Sequence, residues 1–314
     1  MFDKKQVQVD AVDKVLIEIA QTDDRIIALS ADMSDRIIPK FARSFKNKFI
    51  NCGLAEQNMI GIAAGLAKSG FIPFVTTIAV FFSLRCLEQI RTDLAYSKSN
   101  VKIIAPGGGL AYGVLGATHQ ALEDISIFRS IADLVVIAPA DYVETESAVR
   151  AAIKYDGPVY IRLGRGAVTT IYEKDLIKDF EIGKAIKLRE GKDISIIANG
   201  IMVAKALEAA EKLKNDKIYV SVYSMHTLKP LDKAAILEAS KSKFGIITVE
   251  DNNICGGLGE AVALVTSQNN PVKIKSIAIP DIYPIIGNPE ELYKYYKMDV
   301  QSIVDCANEL YIKN

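Results

Sequence analysis

The chain has 314 residues, of which 50% are hydrophobic and 24% charged, so its length suggests about two domains with sizeable cores. Lysine plus arginine equals aspartate plus glutamate at 38 each, and this formal net charge of zero argues against a broad nucleic-acid-binding surface. The spacing of the four cysteines matches neither a zinc site nor a redox pair. The amino terminus lacks a signal-peptide core, and no apolar run approaches the ~20 residues that cross a bilayer. We therefore expect a cytoplasmic protein without nucleic-acid or membrane partners.

Helical and strand patterns alternate through the first half of the chain. Short apolar runs predict strands at 25–29, 71–77, 101–105, 134–138 and 158–163. Helical spacing predicts helices at 9–19, 55–68, 81–96, 119–131 and 142–154. This alternation favours an α/β fold with a mostly parallel, doubly wound sheet that has helices on both faces.

A charged segment then separates the two halves, and residues 174–175, 178–179 and Glu181 indicate a solvated linker. Beyond it the alternation resumes, with strands predicted at 194–198, 218–223, 244–249 and 272–277 and helices at 203–213, 233–240, 258–266 and 300–311. We therefore expect a first domain at 1–168, a linker at 169–189 and a smaller α/β domain at 190–314.

Glu56 stands where a short apolar strand gives way to the predicted helix 55–68. A carboxylate at that point lies near unpaired backbone N–H groups and the positive end of the helix dipole, which favour its ionised form and fix its direction. A first-turn glutamate that only supports its own helix has the same pattern, so Glu56 by itself does not decide between the two interpretations.

A glycine cluster at 106–113 follows a predicted strand but does not indicate a dinucleotide site. The Gly-x-Gly-x-x-Gly pattern fails because Tyr112 occupies the third glycine position. Two interpretations stay open: either the glycines let backbone approach another group closely or make a flexible wall beside a site, or they form an ordinary mobile loop.

Four further polar residues are candidates for chemistry. His119 lies at a loop-to-helix junction, where α/β proteins place ligands, whereas His226 is interpreted as a structural loop residue. Two separated histidines without a His-Glu-x-x-His motif predict no metal site within the chain. Arg162 and Arg165, beside two glycines at a strand end, form either a fork for phosphate or carboxylate or an interdomain salt-bridge cluster.

Six segments resemble the transketolase family, and more closely the C-terminal subunit of two-chain transketolases. In chain order they are 53–58, 118–124, 138–141, 161–166, 225–232 and 249–259. The resemblance covers nearly the whole chain and implies a thiamine-diphosphate pyrimidine-binding domain followed by a transketolase C-terminal domain. It also implies a thiamine diphosphate enzyme that transfers a two-carbon ketol unit between sugars.

The resemblance assigns roles on the cofactor side. Glu56 matches the glutamate that hydrogen-bonds the aminopyrimidine ring and favours its proton-accepting tautomer. Phe82 best matches the aromatic residue that stacks on this ring, with Phe81 as the choice if the register shifts by one. The alternative is that both phenylalanines pack in the core. Arg85 matches an arginine near the pyrimidine in deoxyxylulose-phosphate synthases.

On the substrate side, His119 matches a histidine that faces the substrate and the reacting carbon, and Arg165 matches an arginine that holds the sugar phosphate. Two positions depart from the family: Gly107 replaces a histidine and Leu115 replaces an aspartate, and both family residues contact sugar hydroxyls. An apolar wall favours a deoxy or branched group, so we expect a non-standard sugar or sugar-phosphate substrate.

The family's Gly-Asp-Gly motif, which holds the metal on the cofactor diphosphate, does not occur in this chain. The diphosphate and its Mg²⁺ require hard oxygen ligands. We therefore expect an N-terminal partner subunit with that motif to supply them, in an assembly of two copies of each chain (α2β2).

Two alternatives compete with this assignment. The beta subunit of a 2-oxo acid dehydrogenase shares the domain order and a matching glutamate, but segment 118–124 favours the transketolase branch. A degenerate, non-catalytic subunit would explain the departures at Gly107 and Leu115, but it leaves the retention of Glu56, His119 and Arg165 without a reason.

Overall fold

The computed structural model describes residues 4–33, 37–173, 177 and 180–312. These residues form two α/β domains, each built on its own mostly parallel sheet. Residues 174–175 and 178–179, which the sequence analysis assigned to the linker, lie outside the described part of the chain. Among the described residues, no helix is both long and apolar enough to span a membrane.

The first domain is built on a seven-stranded sheet. The strands of this half are β1 (Lys5–Val7), β2 (Ile26–Ser30), β3 (Phe49–Asn51), β4 (Ile72–Thr76), β5 (Lys102–Pro106), β6 (Val135–Ile137), β7 (Val159–Leu163) and β8 (Ala167–Thr169). Together with β12 (Thr227–Lys229) from the second half, the sheet has the order β12-β6-β7-β5-β4-β2-β3. Only β12 is antiparallel to its neighbour, while β1 and β8 form a separate antiparallel pair.

Helices cover both faces of this sheet, which confirms the doubly wound architecture. On one face, Leu16 and Val149 from two long helices join a core with Phe74 of β4. On the other face, Met59 and Phe128 join a core with alternate strand residues. The α-helices of this half are Gln8–Ala20, Pro39–Ser44, Glu56–Lys68, Leu87–Gln89, Asp124–Ser130 and Tyr142–Lys154.

The predicted helix 81–96 is wound mostly as π-helix, at Phe81–Arg85 and Ile90–Tyr96. The Cys86 N–H donates to the carbonyl oxygen of Phe81, five residues earlier, at 3.2 Å. π-Helical turns are rare and often occur at functional sites, because they change which side chains share a face. The sequence pattern predicts a helix here, but it does not predict that the helix is wound as π-helix.

The predicted helix 119–131 begins later than the sequence indicates, at Asp124. The preceding residues are used differently: Leu110–Thr118 is 3₁₀-helical with a kink, and Ala121 then pairs with Gly109 through N···O distances of 2.8 and 3.2 Å. This backbone pairing holds the segment around His119 against the glycine loop, so a helix does not start there.

The second domain is built on a five-stranded sheet with the order β14-β13-β10-β11-β9. Its strands are β9 (Ile186–Arg189), β10 (Ile194–Ala198), β11 (Val220–Ser224), β13 (Ile246–Asn253) and β14 (Ile274–Ile279), and only β9 is antiparallel. Its helices are Met202–Asn215, Lys233–Ala239, Leu258–Asn269, Pro289–Tyr295 and Val300–Ile312.

Strands β1, β8, β9 and β12 were not expected from the sequence. Ile186–Arg189 (β9), assigned to the linker, pairs with β11 as an edge strand, where charged residues such as Lys187 and Arg189 are tolerated. Thr227–Lys229 crosses to the sheet of the first domain, and the Ala138 N–H donates to the His226 carbonyl oxygen at 2.7 Å. The two domains therefore share backbone hydrogen bonds.

Candidate functional site

Glu56 begins a helix immediately after a tight turn. The Gly53 N–H donates to Oδ1 of Asn51 at 3.0 Å, and Gly53 has a φ of +68°, which glycine adopts without a steric penalty. The turn directs the Glu56 side chain inward, and the residue is only 3% exposed. A buried carboxylate is stable only with a compensating partner.

Arg85 is the partner of Glu56. Its Nη1 atom lies 2.5 Å from Oε1 of Glu56, while 49% of its own side chain remains exposed. The Gln57 side-chain amide also donates to the Arg85 carbonyl oxygen at 3.0 Å, which fixes the end of the π-helical turn against the helix that Glu56 begins. The pair therefore joins the two helices at the site.

The Arg85 guanidinium also stacks on Phe81, with its carbon 4.1 Å from the ring centroid. Phe81 is partly exposed, whereas Phe82 is fully buried in the first-domain core. The sequence favoured Phe82 over Phe81 as the residue that stacks on the cofactor ring. In the structure Phe82 packs inward from the π-helical turn, and Phe81 is the ring that contacts Arg85.

His119 lies on the other side of Phe81. The centroids of the two rings are 5.7 Å apart in an edge-on arrangement, and the histidine Nδ1 lies 2.8 Å from Oγ1 of Thr118. The imidazole is partly exposed. A partly exposed imidazole beside an aromatic ring is placed to exchange protons or hydrogen bonds with a ligand above both rings.

Arg165 extends the site in the opposite direction from Glu56. Its guanidinium carbon lies 4.3 Å from the ring centroid of Tyr112, and that ring lies 6.0 Å from the ring of His119. The structure thus connects the predicted site residues in one continuous row of contacts. The row runs Glu56, Arg85, Phe81, His119, Tyr112, Arg165.

Tyr112 was not among the site residues predicted from the sequence, although one signal was present. This residue occupied the position where the dinucleotide pattern requires glycine, and it was used only to reject that pattern. In the structure its ring lies against Gly107: a Cβ atom at Gly107 would be 2.1 Å from Cε2 of Tyr112. The space beside Gly107 is therefore filled by the tyrosine ring.

Leu115 lies in the 3₁₀-helical segment Leu110–Thr118, which also contains Tyr112. It is 48% exposed and follows Val114, which is 46% exposed, so this edge of the segment is apolar. The loop leans on the second domain, since the Gly287 N–H donates to the Gly113 carbonyl oxygen at 3.2 Å. Both domains therefore support this apolar edge.

Arg162 belongs to a buried interdomain cluster rather than to the open site. Its Nε donates to Oδ2 of Asp124 at 2.9 Å, and its Nη2 donates to the Asp251 carbonyl oxygen at 2.5 Å. The Tyr293 hydroxyl donates to Oδ2 of Asp251 at 2.8 Å. Burial raises the pKa of Asp251, and the nearby Arg162 cation opposes that shift. Of the two arginines, only Arg165 borders the site.

This interdomain cluster also explains the remaining two glycines of the loop. A Cβ atom at Gly108 would lie 2.3 Å from Nε of Arg162, and one at Gly109 would lie 2.1 Å from the Asp251 carboxylate. The Asp251 Oδ1 atom accepts a hydrogen bond from the Leu110 N–H at 3.2 Å. The triple glycine therefore permits close approach to three side chains, which was one of the two interpretations left open.

In the described part of the chain, no group of three or more His, Cys, Asp or Glu side chains could hold a metal ion. The row from Glu56 to Phe81 does fit a planar aminopyrimidine, because it offers a buried carboxyl group that can share a proton with a ring nitrogen and a partly exposed aromatic face. These residues match the pyrimidine end of the cofactor and not its charged diphosphate end.

Comparison with known proteins identifies the family. Residues 5–170 match the transketolase pyrimidine-binding domain, and residues 183–303 match the transketolase C-terminal domain. The chain belongs to the transketolase family. Membership in it implies dependence on thiamine diphosphate.

Relatives within this transketolase family include separate subunits. The chain is 41% identical to one subunit of the apulose-4-phosphate transketolase of Phocaeicola vulgatus, over 94% of each chain. It is 39% identical to the 6-deoxy-6-sulfo-D-fructose transketolase subunit SqwH of a Clostridium species, over 94% of this chain and 92% of that protein.

A solved structure described as a split gene transketolase, inactive beta4 tetramer, matches with a TM-score of 0.89 and 37% identity, over 98% of this chain and 99% of that chain. Together, the matches confirm the prediction of a transketolase-like transferase subunit with two α/β domains.

Proposed function

We propose that this chain supplies the pyrimidine-binding half of a thiamine diphosphate site, and that the assembled enzyme transfers a two-carbon ketol unit to or from a non-standard sugar. One observation carries the proposal: the continuous row of contacts from Glu56 to Arg165. It connects a buried carboxylate, an aromatic face, an imidazole and a guanidinium, which are the groups that a pyrimidine ring and an anionic sugar require.

At one end of the row, Glu56 and Phe81 would hold the pyrimidine ring. The bound cofactor supplies the nucleophilic carbon that breaks and forms the bond next to a sugar carbonyl. Glu56 would hold a proton at a ring nitrogen, and its burial strengthens that hydrogen bond by excluding water. Phe81 would orient the ring by stacking.

At the other end, His119 and Arg165 would bind the sugar. His119 is placed to exchange a proton with a substrate oxygen near the reacting carbon. Arg165 offers a planar guanidinium that binds phosphate or another oxyanion with two parallel hydrogen bonds. These two residues would fix the reacting and the anionic ends of one substrate.

The non-standard sugar is supported by the wall of the site. Gly107 and Leu115 provide no hydrogen bond to a sugar hydroxyl at positions where the family has histidine and aspartate, and Leu115 is exposed at the edge. Two relatives are named for apulose-4-phosphate and for 6-deoxy-6-sulfo-D-fructose. A site without these polar groups accepts a substrate that lacks or displaces the matching hydroxyls.

We also propose that a partner subunit supplies the diphosphate site and the ligands of Mg²⁺. A divalent cation on a diphosphate needs oxygen ligands, and the partner would carry them on a Gly-Asp-Gly motif. The related split-gene transketolase structure is described as an inactive beta4 tetramer. We expect two copies of each subunit in the active enzyme.

Reconstitution tests this proposal. The full chain alone and the chain mixed with a partner that carries Gly-Asp-Gly are titrated with thiamine diphosphate and magnesium by calorimetry, and ketol transfer is measured in parallel. We expect tight binding and activity only from the mixture. Tight binding by the chain alone would contradict the shared site.

A substrate panel tests the sugar preference. The reconstituted enzyme is given ordinary pentose and hexose phosphates beside deoxy, branched and sulfonated sugars. We expect a higher kcat/KM for one of the modified sugars. Turnover of the ordinary sugar phosphates with the efficiency of a standard transketolase would show that the apolar wall does not select the substrate.

A further inference from the structure

Tyr112 lies at the centre of the site between the two residues proposed to bind the ends of the sugar. It is 9% exposed, its ring centroid lies 6.0 Å from that of His119, and the Arg165 guanidinium lies 4.3 Å from it. We propose that Tyr112 is a specificity-determining residue, whose ring holds Arg165 in place for the anionic end of the substrate. This inference rests on the proposed function and deepens it.

The position of the Tyr112 ring is fixed by the glycine loop. Gly107 has a φ of +85° and leaves the space that the ring fills, since a Cβ atom there would be 2.1 Å from Cε2 of the tyrosine. The N–H groups of Gly107 and Gly108 both donate to the Leu163 carbonyl oxygen, at 2.9 and 3.0 Å. Leu163 ends β7, so the loop and Arg165 are anchored to the same strand.

A fixed ring has a direct consequence for anion binding. Arginine has a long side chain that loses conformational freedom when it binds, and stacking on an aromatic ring restricts it beforehand. The cation–π contact uses the face of the tyrosine ring and no N–H hydrogen bond, so the guanidinium N–H groups can still bind an oxyanion with two parallel hydrogen bonds. Tyr112 therefore pre-organises Arg165.

The space around Arg165 supports an anionic ligand. The residue borders a cavity of about 140 Å³ that is also lined by Lys5, Lys205 and Glu290. Lys205 is paired with Glu290 at 2.7 Å, so the positive charge that remains beside Arg165 is that of Lys5. Arg165 also borders a cavity of about 240 Å³, which Tyr112 lines as well. Arg165 therefore lies between the two cavities and contacts the ring of Tyr112.

Kinetics of the reconstituted complex tests the inference with one aldehyde acceptor in two forms, with and without a terminal phosphate. For Tyr112→Leu we expect the KM of the phosphorylated acceptor to rise about tenfold more than the KM of the neutral acceptor. Tyr112→Phe keeps the ring and should behave as the parent. An equal change for both acceptors, or no change, would overturn the role of Tyr112.

A second variant changes the position of the Tyr112 ring without changing the tyrosine itself. Gly107→Ala places a Cβ atom inside the Tyr112 ring and should displace it, giving the same selective rise in KM. Gly70→Ala is the matched control, because Gly70 also has a positive φ, of +92°, but an added Cβ atom there would have nothing within 4 Å. If Gly107→Ala leaves the KM of both acceptors unchanged, the inference that Gly107 fixes the position of the Tyr112 ring is wrong.

A binding measurement separates this inference from the proposed function. The full chain alone is titrated with inorganic phosphate by calorimetry, in the parent, Tyr112→Leu and Tyr112→Phe forms. We expect weaker binding only for Tyr112→Leu, and equal binding by all three would overturn the inference. If the parent complex transfers no ketol unit to any sugar, the proposed function fails, but this titration still decides the role of Tyr112 in holding Arg165.

Discussion

The Nη1 atom of Arg85 lies 2.5 Å from Oε1 of Glu56, so the buried carboxylate on which the proposed chemistry depends has its own counter-ion. The same guanidinium lies 4.1 Å from the ring centroid of Phe81. A single side chain therefore connects the carboxylate and the aromatic ring that we propose to hold the pyrimidine. Changes at Arg85 should affect both.

Arg85→Ala removes the counter-ion of Glu56 and the stacking on Phe81. Because Arg85 is half exposed, we expect a loss of only about 1–2 kcal/mol in the free energy of unfolding, measured by urea denaturation. We also expect about tenfold weaker binding of thiamine diphosphate by the complex. Arg85→Lys keeps the charge but not the planar group. It should therefore restore the free energy of unfolding more fully than the affinity for thiamine diphosphate.

Glu56→Gln removes the carboxylate but keeps its shape. We expect the kcat of the complex to fall by about 100-fold or more, because general acid–base catalysis of this kind contributes factors of about 10² to 10⁴. The exposed Glu88→Gln on the neighbouring helix is the control and should keep full activity. An unchanged rate for Glu56→Gln would favour the non-catalytic, scaffolding alternative.

Phe81→Ala and Phe82→Ala should separate binding from stability. Phe82 is fully buried, so its truncation should cost about 3–5 kcal/mol of unfolding free energy. Phe81 is partly exposed, so its truncation should lower the free energy of unfolding by less. The loss of this ring should, however, weaken binding of thiamine diphosphate by the complex. The two measurements are chemical denaturation and cofactor titration. The reverse outcome would restore Phe82 as the stacking residue.

Asp251→Ala should loosen the glycine loop from the second domain. It removes the acceptor of the Leu110 N–H and of the Tyr293 hydroxyl, so both donors lose this buried partner. We expect a loss of about 2–4 kcal/mol in unfolding free energy and a higher KM for the sugar. Asp216→Ala, at an exposed position, is the control. A destabilised variant with unchanged KM would limit the cluster to a purely structural role.

His226 should make stability depend on pH in the acidic range. Burial lowers its pKa from 6.5 to about 4, so between these values the unfolded chain binds a proton that the folded chain does not. Stability should therefore fall as the pH decreases from 6.5 to about 4, by about 3 kcal/mol in total. His226→Gln should remove this part of the slope in urea unfolding series; an unchanged slope would contradict the shift.

Much of the fold follows from local pattern. The helix Tyr142–Lys154 has its predicted bounds, because Asp141 caps it by accepting from the Glu144 N–H at 2.8 Å and its apolar positions repeat with helical spacing. The strands β9 and β12 were not predicted, because their partners are distant in sequence and pairing is decided by the whole sheet. In the sequence alone, a short edge strand that contains charged residues is difficult to distinguish from a linker.

For the candidate site too, some features could be predicted from the sequence and others required the structure. Motifs in the sequence identified Glu56, His119 and Arg165 without any coordinates, since each lies in a short segment that resembles the family. The choice between Phe81 and Phe82 depended on a π-helical turn, and hydrophobic periodicity does not distinguish that winding from an α-helix. The distinction required the burial of each ring.

By itself, the sequence determined the family, the two α/β domains and the residue types available for chemistry, because these depend on motifs and periodicity along the chain. Only the tertiary structure showed that Tyr112 fills the space beside Gly107 and stacks on Arg165, and that Arg162 is buried with Asp251. These contacts join residues from different segments, and close packing fixes them only when the segments meet in the fold.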